Sequence, residues 1–333
     1  MLDFEKILQK ANERVEASKP CAQVEAVIID ANNLLYRLSH IERKVPDMVA
    51  LGFVEKALML SRWYGSCPEK TYIVWEGNSI ENWRFVHHPE YKGTRKKSGD
   101  PELRACVREA EKILRSLLKE TKFPQVDPRD SEGDDGFATL AKKLLEDGVE
   151  TIGIYSTDRD LLQLALGEKV CLIVPQRGAS DVAMFERDVR SNYGISPRQI
   201  QDVKALEGDV GDNIPGVKGI GKKYATAMIQ SFGSCAGLLN AVEAGKLNQL
   251  EDETKKDWKE RLKGAALTPA RLDRLREGLD SAKMSYIIGG IRDDVELRFS
   301  QHVPTSEKRF FSEYRFLLRS RYLETNSQEF LNL

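Results

Sequence analysis

The chain has 333 residues, enough for one large domain or a large one with a smaller companion. Its 51 Lys and Arg against 52 Asp and Glu exclude a uniformly basic surface, though not local clusters of either sign. Five scattered cysteines without CxxC spacing exclude a disulfide framework and a zinc site, and no apolar run is long enough to span a bilayer. A cytoplasmic protein with reduced thiols and no membrane contact is the expectation.

Residues 1–23 open with mixed-charge, helix-like sequence that lacks the apolar core of a signal peptide, and read as an accessory N-terminal helix. Val24 to Ile29 is a short β-branched run ending in Asp30, and the sequence after it is helical. Such a continuous apolar run suits a buried parallel strand. Thr71 to Trp75 repeats the pattern and ends in Glu76. Glu150 to Tyr155 repeats it again, followed by Asp158 and Asp160, and Val170 to Val174 is a fourth run with no acid after it. Helical spacing fills roughly 48–64, 102–119, 133–147 and 159–166. The alternation predicts an α/β core over 24–190, with a mostly parallel sheet and helices on both faces. In such folds the site lies beyond the carboxyl ends of the strands, so Asp30, Glu76, Asp158 and Asp160 are expected to converge.

Between the second strand and the next helix, about 81–101, lies ENWRFVHHPEYKGTRKKSGDP. Arg84, Lys92, Arg95, Lys96 and Lys97 are interleaved there with Trp83, Phe85 and Tyr91. Bases and aromatics together suit a single strand, whose bases stack while its phosphates pair; a solvated loop is the other reading. Next, Glu132, Asp134 and Asp135 crowd the start of the third helix more closely than a favourable helix dipole requires.

Beyond Ser191 the chain turns helical and charge-rich to about residue 300. Its central stretch, Leu206 to Ala225, joins Asp209 and Asp212 to Gly216, Gly219 and Gly221, with Lys218, Lys222 and Lys223 among them. A glycine turn running into a helix near Lys222 presents backbone N–H groups and a helix dipole to a phosphate. No GK[ST] follows, so it is not a P-loop. A glycine hairpin between helices suits a grip on the DNA backbone, and a plain surface turn is the alternative. Residues 301–333 read as a tail, basic and aromatic around Arg309 to Tyr322. Its end, Gln328 to Leu333, resembles a short sliding-clamp-binding peptide or is simply a frayed terminus.

Asp30, Glu76, Glu132, Asp134, Asp135, Asp158, Asp160, Asp209 and Asp212 cannot share one pocket as bare anions without divalent cations to neutralise them. All-oxygen ligation points to two Mg²⁺, with Mn²⁺ able to substitute. A pair of such ions about 3.5–4 Å apart is a standard arrangement for phosphodiester hydrolysis.

The blocks VIIDANNLLYR, WRFVHHPEYKGTRKK, SEGDDGFATLAKKL, YSTDRDLLQL and EGDVGDNIPGVKGIGKKYA resemble, in unbroken order, those of the 5′ nuclease family. That family includes the 5′–3′ exonuclease domain of bacterial DNA polymerase I, the phage 5′ nucleases and the flap endonucleases. The resemblance implies a PIN-like core with a basic arch, a helix-hairpin-helix region over 191–300, and metal-dependent cutting of DNA during replication and repair. The implied substrates are branched or nicked DNA with a 5′ end or flap, and RNA–DNA hybrids at primers, with a monomer as the acting species. By position, Asp30, Glu132 and Asp134 would hold one metal and Asp158, Asp160, Asp209 and Asp212 the other, with Asp135 between them. Lys92 and Arg95 would form the basic pair of the arch beside Tyr91, with Arg84 placed for a backbone contact. A K⁺ could sit on the carbonyls of the glycine hairpin. Glu76 departs from the family, which usually has aspartate there; the extra methylene puts the first metal's geometry in doubt, not the reaction class. Two other readings are a relative that binds branched DNA without cutting it, and an α/β phosphatase. The second requires neither the basic-aromatic segment nor the glycine hairpin.

Overall fold

The computed structural model describes residues 20–42, 44–77, 82–93, 100–119, 121–176, 180–244 and 269–300. The expectations for the first 19 residues, for Arg95, Lys96 and Lys97, and for the tail with Gln328 to Leu333 lie outside these. The chain begins with β1 (Ala26–Asp30), whose first four residues are buried, as a strand covered on both faces requires. Asp30 ends β1 and caps α1 (Ala31–Ile41), its carboxylate accepting from Asn33 N at 2.9 Å. Next come α2 (Pro46–Trp63), β2 (Thr71–Val74) and the single turn α3 (Arg84–His87). Asp100 caps α4 (Pro101–Leu118), accepting from Glu102 N at 3.0 Å. On α4, Leu103, Cys106, Val107, Ala110 and Leu114 are buried at helical spacing. Then follow β3 (Gln125–Pro128), α5 (Gly133–Glu146), β4 (Ile152–Tyr155), β5 (Val170–Val174), the edge strand β6 (Val182–Met184) and α6 (Glu186–Tyr193).

The seven strands run in the order β6-β5-β4-β1-β2-β3-β7. The five inner strands are parallel, and the two edge strands are antiparallel to their neighbours. Strand order reverses between β1 and β4, which opens a crevice at their carboxyl ends. One apolar core, including Leu35, Phe53, Leu60 and Leu114, covers one face of the sheet; a second, including Phe137, Leu140 and Leu161, covers the other.

The helical region comprises α7 (Gln199–Glu207), α8 (Lys222–Phe232), α9 (Cys235–Glu243), α10 (Pro269–Glu277) and α11 (Leu279–Ile288) around a third core containing Leu206, Val217, Ile220 and Met228. Finally β7 (Leu297–Phe299) returns to the sheet, pairing with β3 through Val126↔Phe299 and Pro128↔Leu297. Residues assigned from sequence to the helical region thus supply an edge of the core sheet. No helix among the described residues is long and apolar enough to cross a membrane.

Candidate metal centre and nucleic-acid interface

A cavity of about 280 Å³ lies at the switch point, lined by Asp30, Glu76, Lys92, Glu132, Asp134, Asp158, Asp160 and Asp212 among others. The sheet register explains the meeting. Ile29 pairs with Tyr155 on one side and Asp30 with Val74 on the other, so three strand ends deliver their acids together. Ser156, the first residue after β4, donates to Asp30 Oδ2 at 2.7 Å and accepts from Asp158 N at 3.0 Å. Asp158 in turn accepts from Asp160 N at 2.9 Å, turning Asp160 toward α7. One oxygen each from Asp160, Asp209 and Asp212 lie within 4.8 Å of one another, a spacing that fits a cation. Asp209 does not line the cavity itself and joins it through this group.

The acids carry the electrostatic mark of a site built for positive charge. Removal from water pushes the Asp30 carboxyl up to about 6. The same cause raises Asp134 well above its ordinary value, with Asp158, Glu76, Glu132 and Asp160 repelling it further. Glu76 and Asp158 are raised as well, again first by removal from water, although both open onto solvent at the rim. This donor set is all oxygen, crowded and under-neutralised, and so fits divalent cations. Glu76, the residue that departs from the family's aspartate, accepts a long bond from Gly133 N at 3.4 Å and faces the cavity.

Among the described residues, Lys92 and Lys204 bring positive charge to these acids, beside the more distant Arg84–Glu132 pair at 3.8 Å. Lys92 pairs with Glu132. Lys204, in the last turn of α7, bridges Asp160 at 2.5 Å and Asp209 at 3.0 Å. Burial works against the Lys204 ammonium, yet the two carboxylates hold its pKa above the ordinary lysine value. It also draws Asp209 below the usual aspartate range, against the opposing effect of burial. Sequence reading passed over Lys204, because a lysine at a helix C-terminus is ordinarily a solvated charge. Its placement one turn ahead of the acid pair was the available signal.

The structure places Asp135, Arg84, Tyr91 and Gly216 differently from their expected roles. Asp135 does not face the cavity. It is fully buried, and its carboxylate accepts from Arg84 at 2.7 and 3.0 Å, from Trp83 Nε1 at 3.1 Å and from Arg292 N at 2.9 Å. Those donors occupy the lone pairs that a metal would need. Arg84 is likewise buried and also donates to Ile288 O and Gly290 O, so it braces the fold instead of meeting a DNA backbone. Tyr91 is buried behind the acids, donating to Glu132 at 3.0 Å and lying 3.2 Å from Asp212 Oδ2. With Trp83 held between Arg84 and Arg292, and Phe85 edge-on to Tyr91, these aromatics are packing groups and not an exposed stacking platform.

The glycine stretch divides. Gly216 is buried with φ 59°, its N–H donating to Ser285 Oγ at 3.0 Å and its carbonyl accepting from Ser281 Oγ at 2.6 Å. A Cβ at Gly216 would come within 2.4 Å of Gly208 N, so glycine is required for the close approach, and Gly216 offers nothing to a phosphate. Lys218, Gly219, Gly221, Lys222 and Lys223 are each exposed, with Gly221 at the N-cap of α8.

Comparison with known proteins matches this arrangement. The model of the 5′-3′ exonuclease N-terminal, resolvase-like domain matches residues 25–194, and that of the 5′-3′ exonuclease C-terminal SAM fold matches 195–308. DNA polymerase I of Bacillus caldotenax is 31% identical over 254 residues, 74% of this chain but only 28% of that protein. A 5′-3′ exonuclease of Halalkalibacterium halodurans is 35% identical over 171 residues, 51% of this chain and 54% of that one. In fold, the zinc-bound 5′-exonuclease of T5 superposes with TM-score 0.62 at 23% identity, covering 89% of this chain and 98% of that one. The catalytic core of Rad2 in complex with a DNA substrate gives 0.54 at 15% identity over 90% of this chain and 87% of that one. With a resolvase-like sheet, acids gathered at its switch point and a helical region carrying the glycine hairpin, the chain belongs to the 5′-3′ exonuclease family.

Proposed function

We propose that the protein is a divalent-metal-dependent nuclease that cuts DNA at single-/double-strand junctions, as a 5′–3′ exonuclease and 5′ flap endonuclease serving replication and repair. The observation that carries this reading is the gathering of Asp160, Asp209 and Asp212 with Asp30, Glu132, Asp134 and Asp158 beside Lys92 in one cleft. Asp30, Glu132 and Asp134, with Glu76, would hold one Mg²⁺; Asp158, Asp160, Asp209 and Asp212 would hold the second, with Mn²⁺ able to replace either. When bound, the pair would lower the pKa of a water and offset charge on the scissile phosphate. The deciding experiment offers a 5′-flap oligonucleotide with Mg²⁺, then with Ca²⁺ or EDTA. Cleavage confined to the Mg²⁺ arm is expected, and no cleavage by pure protein with Mg²⁺ would refute the proposal.

Lys92 brings a positive charge to the rim, held in place by Glu132. Its backbone adopts φ 56° and its N–H donates to Asp212 O at 2.9 Å, so the ammonium is aimed from a fixed base. Lys92→Ala should slow single-turnover cleavage roughly 10²–10³-fold, the loss typical of one preorganised donor. Flap binding measured in Ca²⁺ should change by far less. Equal losses in both would make Lys92 a simple phosphate contact.

Lys218, Lys222 and Lys223 would hold the duplex backbone on the hairpin surface. Lys222→Ala with Lys223→Ala should weaken duplex binding and flatten the log–log salt slope by up to ~2. An unchanged slope would rule out this grip. A K⁺ at the hairpin carbonyls belongs to the same reading; Gly219 O already attracts a cation, the Arg274 guanidinium at 3.5 Å. Because the grip is on backbone, an RNA 5′ end should also be accepted. A sliding-clamp contact through Gln328 to Leu333 is tested by deleting those six residues and measuring clamp binding.

A further inference from the structure

The base of the arch is fastened to the segment that leads into the glycine hairpin, by contacts that neither the acids nor the lysines require. Asn213 lies at its centre. It adopts φ 56°, its Nδ2 donates to Glu90 O at 2.7 Å, and its own carbonyl lies 3.0 Å from His88 Nε2. One residue earlier, Asp212 O accepts from Lys92 N at 2.9 Å. One residue later, Ile214 packs with Tyr91, Ile288 and Phe85 in a small apolar cluster. The 209–214 loop is itself closed by reciprocal backbone bonds between Asp209 and Ile214, both 2.8 Å.

A left-handed backbone at a residue other than glycine is uncommon and is kept only where the surroundings fix it. Here Asn213 and Lys92 both adopt it, on the two segments that the clamp joins. Two of these hydrogen bonds end on backbone atoms of the arch base, Glu90 O and Lys92 N, and the third on the His88 side chain, so they set where the Lys92 main chain lies and not only where its flexible side chain reaches.

We infer that Asn213 and His88 form a positioning clamp that sets which phosphodiester bond is cut, by fixing the distance from the hairpin surface to Lys92. The inference rests on the nuclease reading above. The hairpin defines where the duplex stops, Lys92 marks the scissile phosphate, and the 209–214 loop, which leads into the hairpin, is tied directly to the segment that carries Lys92. Neither clamp residue need touch the substrate.

The test uses the full chain with a 5′-labelled flap substrate and Mg²⁺, with products resolved to one nucleotide. Asn213→Gly removes the side chain while tolerating the positive φ. His88→Phe removes the second tie. Each should leave duplex binding in Ca²⁺ and the melting temperature near wild type. The fraction of cuts one nucleotide from the main site should rise about fivefold, equivalent to the ~1 kcal/mol of one lost hydrogen bond. The double variant should spread the cuts further. A slower rate with the same single product would overturn the inference, because a merely structural contact lowers rate without moving the cut. If Asn213→Gly melts early, His88→Phe and the product ladder of its soluble fraction decide by the same criterion. Absence of cleavage by the wild type would instead remove the nuclease reading itself, so the two failures are distinguishable.

Discussion

Asp134→Asn should abolish most cleavage while leaving flap binding in place. The expected loss in single-turnover rate is on the order of 10⁴-fold or more, the scale seen when one member of a cooperating catalytic group is removed. Asp134 sits where four other carboxylates raise its pKa on top of its burial, so as an anion it costs the metal-free fold stability. The same substitution should therefore raise the melting temperature in EDTA. The opposite signs of the two effects identify a functional acid, because an acid kept for structure would lower stability when neutralised. A rate within tenfold of wild type would exclude Asp134 from the centre.

The pH dependence of the metal-free protein follows from the same crowding. Asp30 ordinarily titrates at 3.8, and the fold raises it to about 6. A carboxyl with a raised folded pKa binds its proton more tightly folded than unfolded, so stability grows as pH falls from about 6 toward 3.8. For Asp30 alone the gain is on the order of 2–3 kcal/mol. Melting in EDTA should shift upward between pH 7 and pH 5, and saturating Mg²⁺ should flatten or reverse the trend. A downward shift in EDTA would contradict the electrostatics of the cleft.

Arg84→Met should be the most damaging single change to stability. Arg84 and Asp135 are both buried and share two short hydrogen bonds, and Arg84 also ties down the carbonyls of Ile288 and Gly290. Removing one member of such a pair leaves an uncompensated buried charge, at about 3–5 kcal/mol. A fall in melting temperature on the order of 10 °C is expected. Arg84→Met with Asp135→Asn should recover part of it, since both charges then leave together. If Arg84→Met instead melts normally and binds DNA poorly, Arg84 is a DNA contact after all.

What the sequence made legible follows from what each residue must satisfy. β1, β2, β4 and β5 are buried in the middle of a parallel sheet, where a near-continuous apolar run is required, and each stands out in the sequence for that reason. Of the strands not marked in the sequence, β3 reads Gln-Val-Asp-Pro and β7 Leu-Arg-Phe, with no apolar run, and β6, Val-Ala-Met, is only three residues long. The acids were legible because their position after strands places them at one edge. Which acid faces the cavity was not, since Asp134 and Asp135 differ only by a rotation of about 100° about α5. The partner that claims Asp135 lies 51 positions away.

The return of β7 gives the helical region a second attachment. The chain leaves the core after α6 and comes back as an edge strand of the same sheet, so the region between is an insertion anchored at both ends and not a trailing module. Cutting the gene at the boundary between the two family models, after residue 194, would leave the first fragment with β3 as an open edge and the second with a strand lacking its partner. Each half expressed alone should therefore tend to aggregate, and mixing the two should restore solubility.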